Sequence, residues 1–347
     1  MKIFETLIRS GVIAVLGFAF AGPWTARSAH ASEADFFKGK TIRISVGVAP
    51  GGGYDAHARM LAPLLAAKIG ATVIVENRPG AGGMAALNTL IKDPPDGLRM
   101  MLLNGEGAVL SKLVDLPNLR FDLATLVYLG RMSYENRVLI AASDTPFAKI
   151  DGFRSAKSTI IMGTGGRIDS MGDAESIFCY ALDLRCKLIT GYSGSAEVTL
   201  ALLRGEVQAQ VTSESQVAKL IMSDKKLVAV ATLNTKRAPL LRETPTIFEL
   251  TKMAPERAKW LKFRAGIADI GRSLVMAPKT PPARAKYLED TLRSILTDPK
   301  VIADAEKHNR PIDYAPPDET RKVIRQIFTE LTQPERAEIQ HIILKAY

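Results

Sequence analysis

Residues 41–55 read Thr-Ile-Arg-Ile-Ser-Val-Gly-Val-Ala-Pro-Gly-Gly-Gly-Tyr-Asp. Thr41 to Val48 is apolar and β-branched, which predicts a strand buried on both faces. Pro50-Gly51-Gly52-Gly53 breaks it, and from Tyr54 the apolar residues Ala58, Leu61, Leu64, Leu65 and Ile69 recur at helical spacing. The unit is strand, glycine-rich loop, helix. The same grammar returns at Thr72–Val75 with Pro79–Gly83 and Met84–Ile91, and at Arg99–Leu103 with Asn104-Gly105-Glu106-Gly107. Further along, Thr159–Met162 leads into Gly163-Thr164-Gly165-Gly166, and Lys187–Thr190 into Gly191-Tyr192-Ser193-Gly194 and a helix through Leu203. This alternation predicts an α/β protein with mostly parallel sheets. Such sheets place ligands at the carboxyl ends of their strands, where every one of these loops falls. Glycine lets a backbone approach a ligand, and the free N–H groups and dipole of a helix start favour an anion.

The length of 347 residues, with 47% hydrophobic and 24% charged content, suits two ordinary domains and excludes disorder as the dominant state. Leu139–Ala142 with Ser143-Asp144-Thr145-Pro146, and Leu227–Thr232 with the Pro-bearing stretch Asn234–Pro245, mark two crossings. The predicted division is residues 32–138 plus 246–347 for a discontinuous first domain and 139–245 for a second domain inserted into it. The ligand cleft would lie between them. Amphipathic helices are expected at Pro282–Leu296 and Asp318–Leu331.

Residues 1–31 read as a secretory signal peptide: Lys2 and Arg9, an uncharged run from Gly11 to Ala21, then Ala29-His30-Ala31. The run is far short of the ~20 residues of a spanning helix. Export to the periplasm with cleavage after Ala31 would remove Lys2, Arg9, Arg27 and Glu5 and lower the net charge from +10 to +8. The basic residues are scattered among acids without interleaved aromatics, which argues against a nucleic-acid partner and for a mild attraction of small anions. With Cys179 and Cys186 the only cysteines and four histidines in all, no metal site and no cofactor are expected. In an exported chain the two cysteines form either a local disulfide or a pair of buried thiols.

Two motifs imitate enzyme signatures. Gly80-Ala81-Gly82-Gly83-Met84-Ala85 satisfies a dinucleotide fingerprint, but Asn77-Arg78-Pro79 separates it from its strand. Gly191-Tyr192-Ser193-Gly194-Ser195 resembles a nucleophile elbow, with Ser195 in place of the last glycine; a hydrolase would then need His308 or His341 with an acid such as Asp269 or Asp304. Ser193 and Ser195 read better as hydroxyl donors at a helix start.

Read in order, Val48-Ala49-Pro50-Gly51-Gly52-Gly53-Tyr54-Asp55, Val75-Glu76-Asn77-Arg78-Pro79-Gly80-Ala81-Gly82-Gly83, Met162-Gly163-Thr164-Gly165-Gly166, Gly191-Tyr192-Ser193-Gly194-Ser195-Ala196-Glu197, Leu203-Arg204-Gly205-Glu206-Val207 and Leu240-Leu241-Arg242-Glu243-Thr244-Pro245-Thr246 resemble one family. It is that of the periplasmic solute receptors of tripartite tricarboxylate transporters, the Bug or TctC-like proteins. The resemblance implies a two-domain, periplasmic-binding-protein-like fold of the Venus flytrap kind. It implies a non-enzymatic protein that closes on a small organic carboxylate and presents it to membrane permease subunits.

Carried over by motif, Gly51, Gly52, Gly53, Tyr54 and Asp55 would form one jaw, with Asp55 shaping the loop. Thr164, Gly165, Gly166, Tyr192, Ser193, Gly194 and Ser195 would form the other. Arg167 would add a charged contact to a ligand carboxylate or pair with Asp169 or Asp173. Glu106, Glu197 and Glu214 would select against a second negative charge or meet a polar ligand end, and Arg264 and Arg272 are candidates for the far end of a dicarboxylate. The alternatives are a secreted serine hydrolase using Ser193 and a receptor feeding a sensor kinase.

Overall fold

The computed structural model describes residues 33–134, 136–223 and 225–347. The expected signal peptide lies outside the described residues. Among the described residues, ten strands form two five-stranded sheets. The first holds β1 (Thr41–Val46), β2 (Thr72–Asn77), β3 (Arg99–Asn104), β4 (Val127–Ser133) and β10 (Arg272–Met276), in the order β2-β1-β3-β10-β4. The second holds β5 (Arg137–Ala142), β6 (Ile160–Gly163), β7 (Cys186–Ile189), β8 (Ala209–Ser213) and β9 (Leu227–Thr232), in the order β7-β6-β8-β5-β9. The chain therefore leaves the first sheet after Ser133, enters the second at Arg137, and comes back between Thr232 and Arg272.

Burial follows a strand's place in its sheet. The central β3 is buried from Met100 to Asn104, whereas the edge strand β2 alternates partly buried and exposed positions. The sheets are more mixed than the mostly parallel expectation. β2-β1-β3 and β7-β6-β8 are parallel, but β10 runs antiparallel to β3 and β4, and β5 antiparallel to β8 and β9. β10 and β5 are the two strands that enter a sheet by crossing from the other lobe. No helical crossover constrains their direction.

One apolar core runs through both lobes. Val109, Leu110 and Leu113 on the helix Gly105–Leu113 of the first lobe share it with Ile177 and Phe178 on the helix Gly172–Ala181 of the second. Between them lie Trp260 and Leu261 of the helix Pro255–Ile267 and Ile339, Ile342 and Ile343 of the helix Gln333–Leu344. The last helix starts on a capping box, Thr332 with Glu335. Cys179 and Cys186 form a disulfide that ties the end of the helix Gly172–Ala181 to the start of β7. The helix Pro317–Glu330 buries Ile324 and Ile327 on its inner face, as its amphipathic pattern demands.

Glu175 shows how a polar group is used inside this core. β6 meets β8 only at Met162 and Ala209, so the Val211 N–H further along β8 donates to Glu175 Oε1 instead, 3.0 Å away. Burial pushes the Glu175 carboxyl well above its ordinary range, and the neighbouring Asp169 and Asp173 add to the shift. A raised folded-state value means that the unfolded chain releases this proton first, so stability falls as pH rises above the ordinary glutamate value. Glu175→Gln keeps the acceptor and removes the proton. Its melting temperature relative to the native protein is expected to climb between pH 5 and pH 8, and a constant difference across that range would contradict the assignment.

Candidate functional site

A cleft of about 790 Å³ opens between the two lobes, a size that suits a small ligand. Its first wall is the loop between β1 and the helix Gly53–Ile69. Gly52 caps that helix without a side-chain bond, and the first intrahelical bond runs from Ala56 N–H to Gly52 O at 3.0 Å. The amides before it therefore lead out from the helix start, where the helix dipole is positive. Gly51, Gly52, Gly53 and Tyr54 line the cleft. Asp55 does not. Its buried carboxylate accepts from Gly51 N–H at 2.9 Å, from Arg59 Nε at 2.9 Å and from Asn77 Nδ2 at 2.9 Å, so it shapes the loop from behind. Burial alone would raise this carboxyl, but these bonds hold it below the ordinary aspartate range. The neighbouring Gly47 packs against the Gly83 backbone so closely that a Cβ there would stand 2.4 Å from Gly83 Cα, which seats the second glycine loop beside the first.

The opposite wall is the start of the helix Ser195–Leu203. Gly194 caps it, again without a side-chain bond. Tyr192, Ser193, Gly194 and Ser195 all line the cleft. Ser193 N–H is fixed by Glu197 Oε2 at 2.6 Å, and Ser195 Oγ by Gln216 Oε1 at 2.7 Å.

The loop after β6 is arranged differently from the expectation that it grips a ligand. Gly165 reaches the cleft, whereas Thr164, Gly166 and Arg167 are not among the residues lining it. The reason is Asp169. Its carboxylate accepts from Thr164 Oγ1 at 2.6 Å, from the N–H groups of Gly165 and Gly166 at 2.8 and 3.1 Å, and from those of Met171 and Gly172 at 3.0 and 2.7 Å. The nest of amides already holds a carboxylate, and it is the protein's own. Gly82, with φ 64°, lies on the facing loop; a Cβ there would sit 3.0 Å from the Ile168 carbonyl oxygen. Only a residue without a side chain lets the two lobes approach so closely.

Glu106 is not at the ligand surface. It is fully buried and accepts from Arg137 Nη2 at 2.9 Å and Arg264 Nη2 at 2.8 Å. Arg264, also buried, reaches Asp173 Oδ1 at 3.1 Å. Burial would raise Glu106, but the two guanidinium groups outweigh it and hold its carboxyl below the usual range. Burial pushes Asp173 up to about 6, with Arg264 opposing and the charge of Glu106 adding to the shift. These four residues come from both lobes and from the helix between them. Arg264 is thus part of the frame and not of the cleft.

Sequence reading missed several cleft residues. Arg137, Thr212, Ser213 and Gln216 line it from the second lobe; Arg272, which the sequence did single out as a candidate for the far end of a ligand, lines it from the first. Arg137 could have been found: a charged residue opens the otherwise apolar run Arg137–Ala142. Ser193 has neither candidate histidine beside it, since His308, just past the helix Pro299–Lys307, and His341, on the helix Gln333–Leu344, are exposed and line no part of the cleft. Among the described residues no group of three or more His, Cys, Asp or Glu could hold a metal ion.

Comparison with known proteins gives a consistent result. The family described as "Tripartite tricarboxylate transporter family receptor" matches residues 57–328. A UPF0065 protein of Bordetella pertussis is 30% identical over 307 residues, 87% of each chain. The periplasmic binding protein BugD superposes with a TM-score of 0.69 at 23% identity, over 86% of this chain and 96% of BugD. The Rhodopseudomonas palustris protein Rpa4515, solved with adipate, superposes with a TM-score of 0.70 at 18% identity, over 87% of this chain and 97% of its own. At such identities these two superpositions establish the fold.

The buried cluster gives a direct test of the frame. Arg264→Met leaves Glu106 and Asp173 without the cation between them and should cost about 3–5 kcal/mol in urea unfolding. A loss below about 1 kcal/mol would show that the cluster does not tie the lobes.

Proposed function

Because this chain belongs to the tripartite tricarboxylate transporter receptor family, we propose that it captures a small carboxylate-bearing metabolite in the periplasm and presents it to membrane permease subunits. Proteins of this family are solute-binding receptors, not enzymes. The observation that carries the reading to a carboxylate is the cleft itself. Two helix starts, at Gly53 and Ser195, face it without side-chain caps, and the guanidinium groups of Arg137 and Arg272 line it. Every one of these features favours negative charge. The adipate of the R. palustris protein supports the same chemistry.

On this reading the lobes follow the predicted division, 32–138 with 246–347 and 139–245, except that the first crossing lies before Arg137, where β5 opens in the second sheet. Ligand entry and release follow from their opening and closing about the two crossings. The ligand-binding residues are Gly51, Gly52, Gly53 and Tyr54 on one side and Gly165, Tyr192, Ser193, Gly194 and Ser195 on the other. Thr164, Gly166, Asp55 and Glu106 hold these loops in place. Export rests on the charged start, the short apolar run and the Ala-His-Ala ending of residues 1–31. Among the described residues no helix is long and apolar enough to cross a membrane.

A thermal-shift series with succinate, malate, adipate, benzoate and glutamate tests the reading. At least one acid should raise the melting temperature, with a gain that grows with the logarithm of concentration and reaches about 2.7 kcal/mol at a hundredfold excess over Kd. No shift by any of them at millimolar concentration would overturn it.

A further inference from the structure

We propose that Asn104 is a positioning residue of the cleft: its side-chain amide sets the loop of residues 80–83 in the first lobe against the Ile168 carbonyl of the second, and this contact holds the lobes together across the cleft. The inference takes the cleft as the binding site, as proposed above, and adds the contact that closes it.

Asn104 ends β3 and is 6% exposed. Its Oδ1 accepts from the Gly107 N–H at 3.1 Å, which caps the helix Gly105–Leu113, and from the Tyr54 hydroxyl at 3.2 Å. With two donors on Oδ1 the amide has only one orientation, and Nδ2 is turned to the Gly82 carbonyl oxygen, 3.4 Å away. One side chain thereby reaches the loops after β1, β2 and β3. A cap needs only the oxygen, which serine or aspartate supplies equally well. The nitrogen, with its reach to Gly82, is what asparagine adds. The helix that Asn104 caps also carries Glu106, the carboxylate between Arg137 and Arg264, so one helix end serves both the buried frame and the cleft wall.

The loop that Asn104 reaches is not a relaxed turn. Gly80, Ala81, Gly82 and Gly83 all have positive φ, and Ala81, at φ 48°, carries a Cβ that this region disfavours. Such a backbone persists only where its surroundings hold it. On one side the loop rests on Gly47, and on the other it meets the second lobe, where a Cβ on Gly82 would stand 3.0 Å from the Ile168 carbonyl oxygen and 3.9 Å from Asp169 Cα. Ile168 packs on the apolar core that the lobes share, and Asp169 orders its loop through the Gly165 and Gly172 amides. Gly82 and Asp169 both line the cleft, so the contact lies at its edge and joins one ordered loop from each lobe.

Hydrogen exchange read by mass spectrometry on the ligand-free protein tests the contact, with two variants that keep the cap and lose the link. Asn104→Asp turns a carboxylate oxygen towards the Gly82 carbonyl, and Asn104→Ser is too short to reach it. In both, exchange should quicken at least about fivefold in residues 79–86 and 164–172 and stay within about twofold in residues 105–113. Gly82→Ala, which pushes on Ile168 from the other side of the contact, should quicken residues 164–172 and leave 105–113 unchanged. Should one Asn104 variant fail to fold, as judged by its melting transition, the other decides; should both fail, Gly82→Ala decides. Unchanged exchange in residues 164–172 overturns the inference, since a residue that only caps its helix would leave the other lobe untouched. Any of succinate, malate, adipate, benzoate and glutamate that binds the native protein should leave Asn104→Ser at least about threefold faster, and an unchanged dissociation rate also overturns the inference. Failure of all five to bind overturns the receptor reading, and the exchange result then decides on Asn104 alone.

Discussion

The buried guanidinium of Arg264, between the carboxylates of Glu106 and Asp173, is the interaction on which the rest of the molecule is arranged. A charge in a core is tolerated only when it is paired, and removal of one partner leaves the others exposed to the full cost of burial. Here the partners come from the helix Gly105–Leu113 after β3 and the helix Gly172–Ala181 after β6, one on each lobe. The same Glu106 also pairs with Arg137, the first residue of β5. The frame thus fixes the lobes and places a strand start on the cleft floor with one set of contacts. The shared apolar core around Trp260 and Ile339 surrounds this cluster and keeps water from it.

Above that frame, carboxylates of the protein divide the cleft into places that can and cannot take an anion. Asp55 sits behind the glycine loop after β1 and Asp169 inside the loop after β6. Both carboxylates accept from backbone N–H groups and so order their loops before any ligand arrives, and a pre-ordered site loses less freedom on binding. Two helix starts and the Arg272 guanidinium line the cleft beside them. The positive character of the cleft is therefore local, and the net charge of +10 over the whole chain contributes only a weak background.

Much of this was legible in the sequence because each strand, glycine loop and helix is specified locally. β1, β2, β3, β6 and β7 all announce themselves by apolar runs that end in a glycine or asparagine turn. β4, β8 and β10 do not. Gly130 interrupts β4, buried Gln210 and Thr212 make β8 look polar, and β10 has five residues whose partners lie far away in the chain. Antiparallel pairing between Arg272–Met276 and strands more than a hundred residues earlier leaves no local pattern. The site shows the same division. Gly51–Tyr54 and Tyr192–Ser195 were found by their loop positions, but the capture of the Gly165 and Gly166 amides by Asp169, and the burial of Glu106, depend on side chains folding back from their own loop or meeting across lobes.

The central claim, that an anion is held between two helix starts and a guanidinium, is tested most directly by a crystal structure of the protein with adipate. The account predicts a ligand carboxylate in the cleft between the starts of the helices Gly53–Ile69 and Ser195–Leu203, with Asp169 still on its own loop amides. A ligand carboxylate seated on the Gly165 and Gly166 amides with Asp169 turned away, or a ligand outside the cleft, would contradict it.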